Sequence, residues 1–193
     1  MPPVEIKENQ DNISKRKLIL MFLAIIAIAF FIHFAFLKQD SGNVIIDKSC
    51  FEKKTRTVDG TSMSPFIKNG ETVTTYENYY DCNEIKKGDI IIFNFKTREG
   101  DYIKKVMAME GDTLEFEDGF IKINGEFAVN SLGEKHRINQ PQQKMLSIPL
   151  EDNVISKNSY LVLGDNTDPS TFDSRKFSFI SNQQIVGRVI INK

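Results

Sequence analysis

Twenty consecutive residues, Leu18 to Leu37, carry no charge, and His33 is the one strongly polar side chain among them. A helix of that length rises about 30 Å, the thickness of a bilayer's hydrocarbon core. A cleaved signal peptide has an apolar region of about 7–15 residues, shorter than this one. The small-residue triplet Ala27-Ile28-Ala29 falls inside the run rather than after it. The reading is an uncleaved anchor over 18–37. Lys15-Arg16-Lys17 stand before the run and Lys38 alone immediately after it, which keeps the N-terminus in the cytoplasm. The chain thus divides into a cytoplasmic tail (1–17), a single-pass anchor in the cell membrane (18–37) and an extracytoplasmic domain (38–193). His33, near the outer end, is expected to face the interface.

Beyond the anchor the pattern is mainly β, and an antiparallel sheet domain is expected. Asp89 to Phe95 is a β-branched and aromatic run fit for a buried strand. Asp101 to Met109 is a second strand, with Gly100 expected to turn the chain between them. Thr113–Glu117 and Phe120–Ile123 alternate, with hairpin turns at Asp118-Gly119 and Asn124-Gly125. Tyr160–Leu163 and Ile185–Ile191 supply late strands. Residues 112–160 are read as an elaboration of the sheet, and 130–157 as an irregular polar excursion within it.

Basic and acidic residues nearly balance, 25 against 26, and nothing in their distribution argues for nucleic acid. The two cysteines, Cys50 and Cys82, make no C-x-x-C spacing, which argues against a zinc or iron–sulfur centre. In an oxidising compartment they are able to form one disulfide; two free thiols is the alternative.

Val58-Asp59-Gly60-Thr61-Ser62-Met63-Ser64-Pro65 holds a serine between a glycine and a proline, a way to fix one hydroxyl on a tight turn. A serine needs a neighbour to take its proton. The histidines, His33 and His136, lie in the apolar run and in the polar excursion, so a Ser-His-Asp triad is not expected. A lysine can serve if burial keeps it neutral. Tyr102-Ile103-Lys104-Lys105-Val106-Met107 offers two candidates on opposite faces of a strand, and alternation does not choose between Lys104 and Lys105. A third stretch, Gly164-Asp165-Asn166-Thr167-Asp168-Pro169-Ser170-Thr171-Phe172-Asp173-Ser174-Arg175, reads as a long loop dense in turn formers.

Taken in order, these stretches resemble the conserved boxes of the type I signal peptidases. Gly60 to Pro65 with Gly70-Glu71 resembles the nucleophile box, and Lys87 to Phe93 a conserved strand. Asp101 to Val106 with Gly111-Asp112 resembles the lysine box. Gly164-Asp165-Asn166, Asp173-Ser174-Arg175 and Ile185 to Arg188 resemble the final box. The resemblance implies Ser62 as nucleophile, Lys104 as general base, and the Ser62 backbone N–H as oxyanion donor. It also implies a hydroxyl that orients the lysine, Ser170 or else Thr171, with Ser170 slightly favoured. Asp165, Asp173 and Arg175 become structural supports. Gly60 stands where some members carry a hydroxyl for the oxyanion. Glu110 stands where proline is usual, and the final box is one residue longer than the common spacing.

The resemblance further implies an endopeptidase that removes signal peptides, cutting after small residues. Its partners are preproteins and the lipid bilayer, and no cofactor is involved. Met63, Pro65 and Phe66 are a candidate surface for the lipid interface. Two other expectations stand beside this one: a pilin-maturing peptidase of conjugative transfer, with the same fold, and a catalytically silent, membrane-anchored β domain that binds peptides.

Overall fold

The computed structural model describes Leu20, Met21, Leu23 and residues 50–191. The chain divides into two compact units, Met1–Ile46 and Asp47–Lys193. In the first, the three described residues are helical and exposed. The anchor predicted for 18–37 is otherwise outside the described residues, as are the predicted tail and His33. No helix among the described residues is long and apolar enough to cross a membrane.

The second unit is mainly antiparallel β. Its larger sheet has six strands: β1 (Glu52–Thr57), β2 (Thr72–Glu77), β3 (Ile90–Phe95), β4 (Arg98–Ala108), β8 (Leu161–Leu163) and β9 (Ile185–Ile190). They are ordered β1-β2-β9-β3-β4-β8. The predicted strand around Ile90–Phe95 lies inside this sheet, paired with β9 on one side and β4 on the other. Its unbroken apolar run follows from burial of both faces: Ile91 and Phe93 enter one core cluster and Ile92 another.

Arg56 on β1 is ion-paired with Asp101 on β4 although β2, β9 and β3 separate their strands in the sheet. The sheet therefore curls until its first strand faces the beginning of β4. Val58, Met63, Ile67, Val73, Ile92 and Val189 fill the space this creates. Met63 is 1% exposed, so it belongs to this core and not to the lipid-facing surface expected of it; Pro65 is exposed and Phe66 half-buried.

The turn between β3 and β4 is at Lys96-Thr97, not at Gly100. Gly100 lies inside β4, where the pairing slips between Asn94 and Phe95 and leaves Glu99 and Gly100 as extra residues in the strand. A glycine in a strand pattern marks such a bulge as readily as a turn.

Leu114–Glu117 (β5), Phe120–Ile123 (β6) and Glu126–Phe127 (β7) form a separate three-stranded sheet, turning at the two predicted dipeptides. The stretch expected to be irregular contains a helix, α1 (Gln140–Ser147). Asn139 caps it, accepting from the Gln142 backbone while the Gln142 side chain accepts from the Asn139 N–H. The signature Asn139-Gln140-Pro141-Gln142 was present in the sequence, a capping box with proline in the first turn. Leu146 of α1 joins Leu114, Ile121, Ile138, Ile155 and Leu161 in a further core cluster.

Cys50 and Cys82 form a disulfide, with Cα atoms 6.0 Å apart. Of the two states open to them, the bonded one is present.

Candidate active site

β4 presents Lys104, Val106 and Ala108 to the interior, while Lys105 and Met107 on the opposite face are half-buried. Lys104 is 2% exposed. What covers it comes from elsewhere in the chain. The loop after β8 runs from Gly164 to the short helix α2 (Ser174–Phe177) and crosses this face. Phe172 on the loop packs on Tyr102 at 5.0 Å and on Phe177 at 5.2 Å, within a group that includes Phe93 and Phe95. Arg98 stacks over Phe172 at 4.4 Å.

The Nζ of Lys104 donates to the Ser62 Oγ at 2.8 Å and to the Ile103 carbonyl at 2.8 Å. Burial pushes its pKa down to about 8; Asp173 nearby opposes that effect and Arg175 reinforces it. The physical cause is the cost of holding an ammonium away from water, which outweighs its attraction to one buried carboxylate. About a tenth of Lys104 is thus neutral at pH 7 and about half at pH 8, and a neutral amine accepts a proton.

Ser62 sits on the turn after β1. Gly60 has φ +107°, a region closed to ordinary side chains, and its N–H donates to Asn69 Oδ1 at 2.7 Å. Ser64 N–H closes back on the Thr61 carbonyl and Ile67 N–H on that of Met63. The buried Met63 side chain anchors the turn to the core, leaving the Ser62 side chain partly open.

The final box holds this turn in place through its backbone. Asn166 N–H donates to the Ser62 carbonyl at 3.1 Å. Asp165 accepts from Phe66 N–H at 3.2 Å and from the Ser131 N–H and hydroxyl at 2.8 and 2.6 Å. Asp173 and Arg175 form a fully buried, two-pronged ion pair, 2.9 Å at Nε and 2.6 Å at Nη2. Asp173 also accepts from Gly164 N–H, and Arg175 donates to the carbonyls of Arg137, Asn166 and Thr167. Such a pair is worth having only when its remaining donors and acceptors are met, and here they tie Arg137 and Gly164–Thr167 to Asp173–Arg175.

Ser170 and Thr171 both line the cleft of about 450 Å³ that Ser62, Lys104 and Phe172 also line. Ser170 is exposed, and its N–H and hydroxyl both bond Asp168. Thr171 is buried and its hydroxyl donates to the Asn166 carbonyl at 3.3 Å. A second cavity of about 260 Å³ flanks Ser62 and Lys104 on the side of Val58, Met63, Ile92 and Ile103. His136 is buried, with its pKa pushed down to about 4, chiefly by burial and then by Arg175. Among the described residues its Nδ1 has no hydrogen-bond partner, and no cluster of three or more His, Cys, Asp or Glu could hold a metal. Glu110 is exposed in the turn that follows β4.

Three features of the site were not read from the sequence: the aromatic group that seats Phe172 on β4, the helix α1 whose Gln142 donates to the Pro169 carbonyl, and the Arg56–Asp101 pair beside the smaller cavity. Only the capping box of α1 left a local signal.

Residues 15–192 match the family described as signal peptidase, peptidase S26. A signal peptidase IB of Staphylococcus aureus (strain COL) is 32% identical over 183 residues, 90% of this chain and 88% of that protein. A signal peptidase I of Bacillus caldolyticus is 30% identical over 147 residues, 68% and 74% of the two chains. Among solved structures, a signal peptidase I from Enterococcus faecalis aligns with 20% identity and a TM-score of 0.37, covering 56% of this chain and 98% of that one.

Proposed function

The chain belongs to the signal peptidase family, peptidase S26, and is a serine peptidase; from that premise we propose that it cleaves signal peptides with a Ser62–Lys104 dyad while anchored in the cell membrane by residues 18–37. The observation that carries the dyad is the 2.8 Å contact between a buried lysine nitrogen and a serine oxygen on a turn. Ser62 Oγ attacks the carbonyl carbon of the scissile bond as its proton passes to neutral Lys104. The oxyanion is received by the Ser62 backbone N–H. With Gly60 two positions earlier, no side-chain hydroxyl shares that duty, so the amide carries more of the stabilisation, where one donor is worth about 3–4 kcal/mol. The ammonium of Lys104 then protonates the leaving amine, and water, deprotonated by the same lysine, releases the acyl group. The Lys104 amine is oriented by the Ile103 carbonyl, while the hydroxyls of Ser170 and Thr171, which line the same cleft, bond Asp168 and the Asn166 carbonyl and do not reach it; Asp165, Asp173 and Arg175 hold the final box against the lysine strand.

The membrane placement rests on the uncharged run with its basic residues on the amino side, and on the disulfide. A disulfide persists in an oxidising compartment, which supports an extracytoplasmic position for residues 50–191. Anchoring sets the site beside the surface where the substrate's own apolar segment lies, raising its effective concentration.

The test is cleavage of one preprotein by four variants. Ser62→Ala and Lys104→Ala are each expected to lower the rate by roughly 10⁴-fold or more. Lys105→Ala and His136→Ala are expected to retain cleavage. A normal rate in Lys104→Ala, with loss in His136→Ala, removes the mechanism.

A further inference from the structure

Arg98, at the start of β4, lines the cleft of about 450 Å³ beside Ser62; it is exposed, with its guanidinium carbon 4.4 Å from the centre of the Phe172 ring. That ring is itself fixed, packed on Tyr102 at 5.0 Å and on Phe177 at 5.2 Å. A guanidinium stacked on a ring is held in place yet keeps its charge and its N–H donors. Among the described residues no carboxylate pairs with it: Asp101 on the same strand is taken by Arg56, and Asp59, which lines the same cleft, makes no ion pair with it. The loop that brings Phe172 here is the final box, one residue longer than the common spacing. Counted from Gly164-Asp165-Asn166, the added residue falls between Ser170 and Asp173, at Thr171 or Phe172. The seat of Arg98 is thus where this chain departs from the pattern it resembles.

A substrate bound at Ser62 extends from it in two directions. The apolar cavity on one side suits the small residues expected before the cut, which leaves the larger, more polar cleft to the chain after it. Resting on the reading of Ser62 as nucleophile, we propose that Arg98 is a specificity-determining residue for the released part of the substrate, its guanidinium pairing with an acidic side chain among the first three residues after the cut. Asp59 lies on the same cleft, so acidic chains are not attracted by the cleft as a whole; the preference is set where Phe172 seats the guanidinium. The cleft's other cation is Lys104, whose pKa near 8 leaves it mostly neutral at pH 9. At that pH Arg98 is the charge that remains to meet a carboxylate.

The test is a series of preprotein-derived peptides in which each of the first three residues after the cut is in turn Asp, Asn or Lys. Competition in one mixture, at pH 9 in neutral detergent, gives relative kcat/KM. The full-length enzyme is expected to favour Asp over Lys by about fivefold at one position, and by less in about 0.5 M salt, as for a pair between exposed charges. Arg98→Gln is expected to bring that ratio to near unity, and Arg98→Lys to keep part of it. Arg98→Glu is expected to reverse it, which the loss of a merely structural prop for Phe172 would not do. Because the readout is a ratio, a general fall in rate does not count. Equal use of Asp and Lys by the parent enzyme at all three positions overturns the proposal, as does an unchanged ratio in Arg98→Glu. An unchanged ratio together with weaker binding of Arg98→Glu to phosphatidylglycerol vesicles assigns the cation to the membrane surface instead. Cleavage by Ser62→Ala overturns the reading on which the proposal rests.

Discussion

Gly164 lies against the backbone of Ser62: a Cβ at position 164 would stand 2.2 Å from the Ser62 carbonyl oxygen and 3.1 Å from its carbon. The loop carrying the final box and the turn carrying the hydroxyl touch main chain to main chain at this point. Neither partner can swing aside as a side chain does. Gly164→Ala is therefore expected to displace Ser62 from Lys104 and lower kcat by at least about a hundredfold, since an error near 1 Å at the reacting atoms costs that much. Cleavage assays beside a thermal melt separate this from simple unfolding.

The rate should follow the protonation of Lys104. With its pKa held near 8, the neutral fraction rises about tenfold for each pH step below that value and levels off above it. Log kcat/KM is expected to climb with unit slope to about pH 8 and then reach a plateau. A profile that breaks near 6.5 and is flat above it points to a histidine base instead.

His136 makes stability depend on acid. Its folded pKa of about 4 lies below the 6.5 of the free side chain, so between those values the unfolded chain binds more protons. Stability from this group is complete above about pH 6.5 and is lost as pH falls towards 4, by up to roughly 3 kcal/mol. Urea melts across that range measure it. His136→Phe is expected to flatten the slope between pH 4 and 6.5, whatever its effect at neutral pH.

The disulfide closes a loop of separation 32 that contains β1, the Ser62 turn and β2. By the chain-entropy estimate, opening it costs about 4 kcal/mol. Denaturation with and without a reductant is expected to differ by roughly that amount. Reduction is also expected to lower activity before the unit unfolds, because Ser62 and one wall of the smaller cavity, Arg56 to Met63, belong to the cross-linked segment.

The local patterns that need only neighbours in sequence were legible without coordinates. They include the buried β3 strand, the two hairpin dipeptides and the glycine-led serine turn, each decided by backbone preference or by period. The capping box of α1 was legible too, but the polar composition around it outweighed it. Gly100 misled because a glycine between two strands marks a turn or a bulge equally well.

Sequence determined that a serine, a lysine and a turn-rich loop occur in a family's order. The choice of Lys104 came from the family resemblance alone, because strand alternation left Lys104 and Lys105 equivalent: it says that two faces exist and not which is covered. The tertiary structure decided that by laying the Gly164-to-Arg175 loop over one face, with Phe172 on Tyr102 and the Asp173–Arg175 pair behind it. Desolvation of an amine depends on everything packed around it, and those groups come from strands and loops far apart along the chain. For the same reason the meeting of Arg56 with Asp101, 45 residues later, has no trace in either segment alone: it exists because the sheet curls.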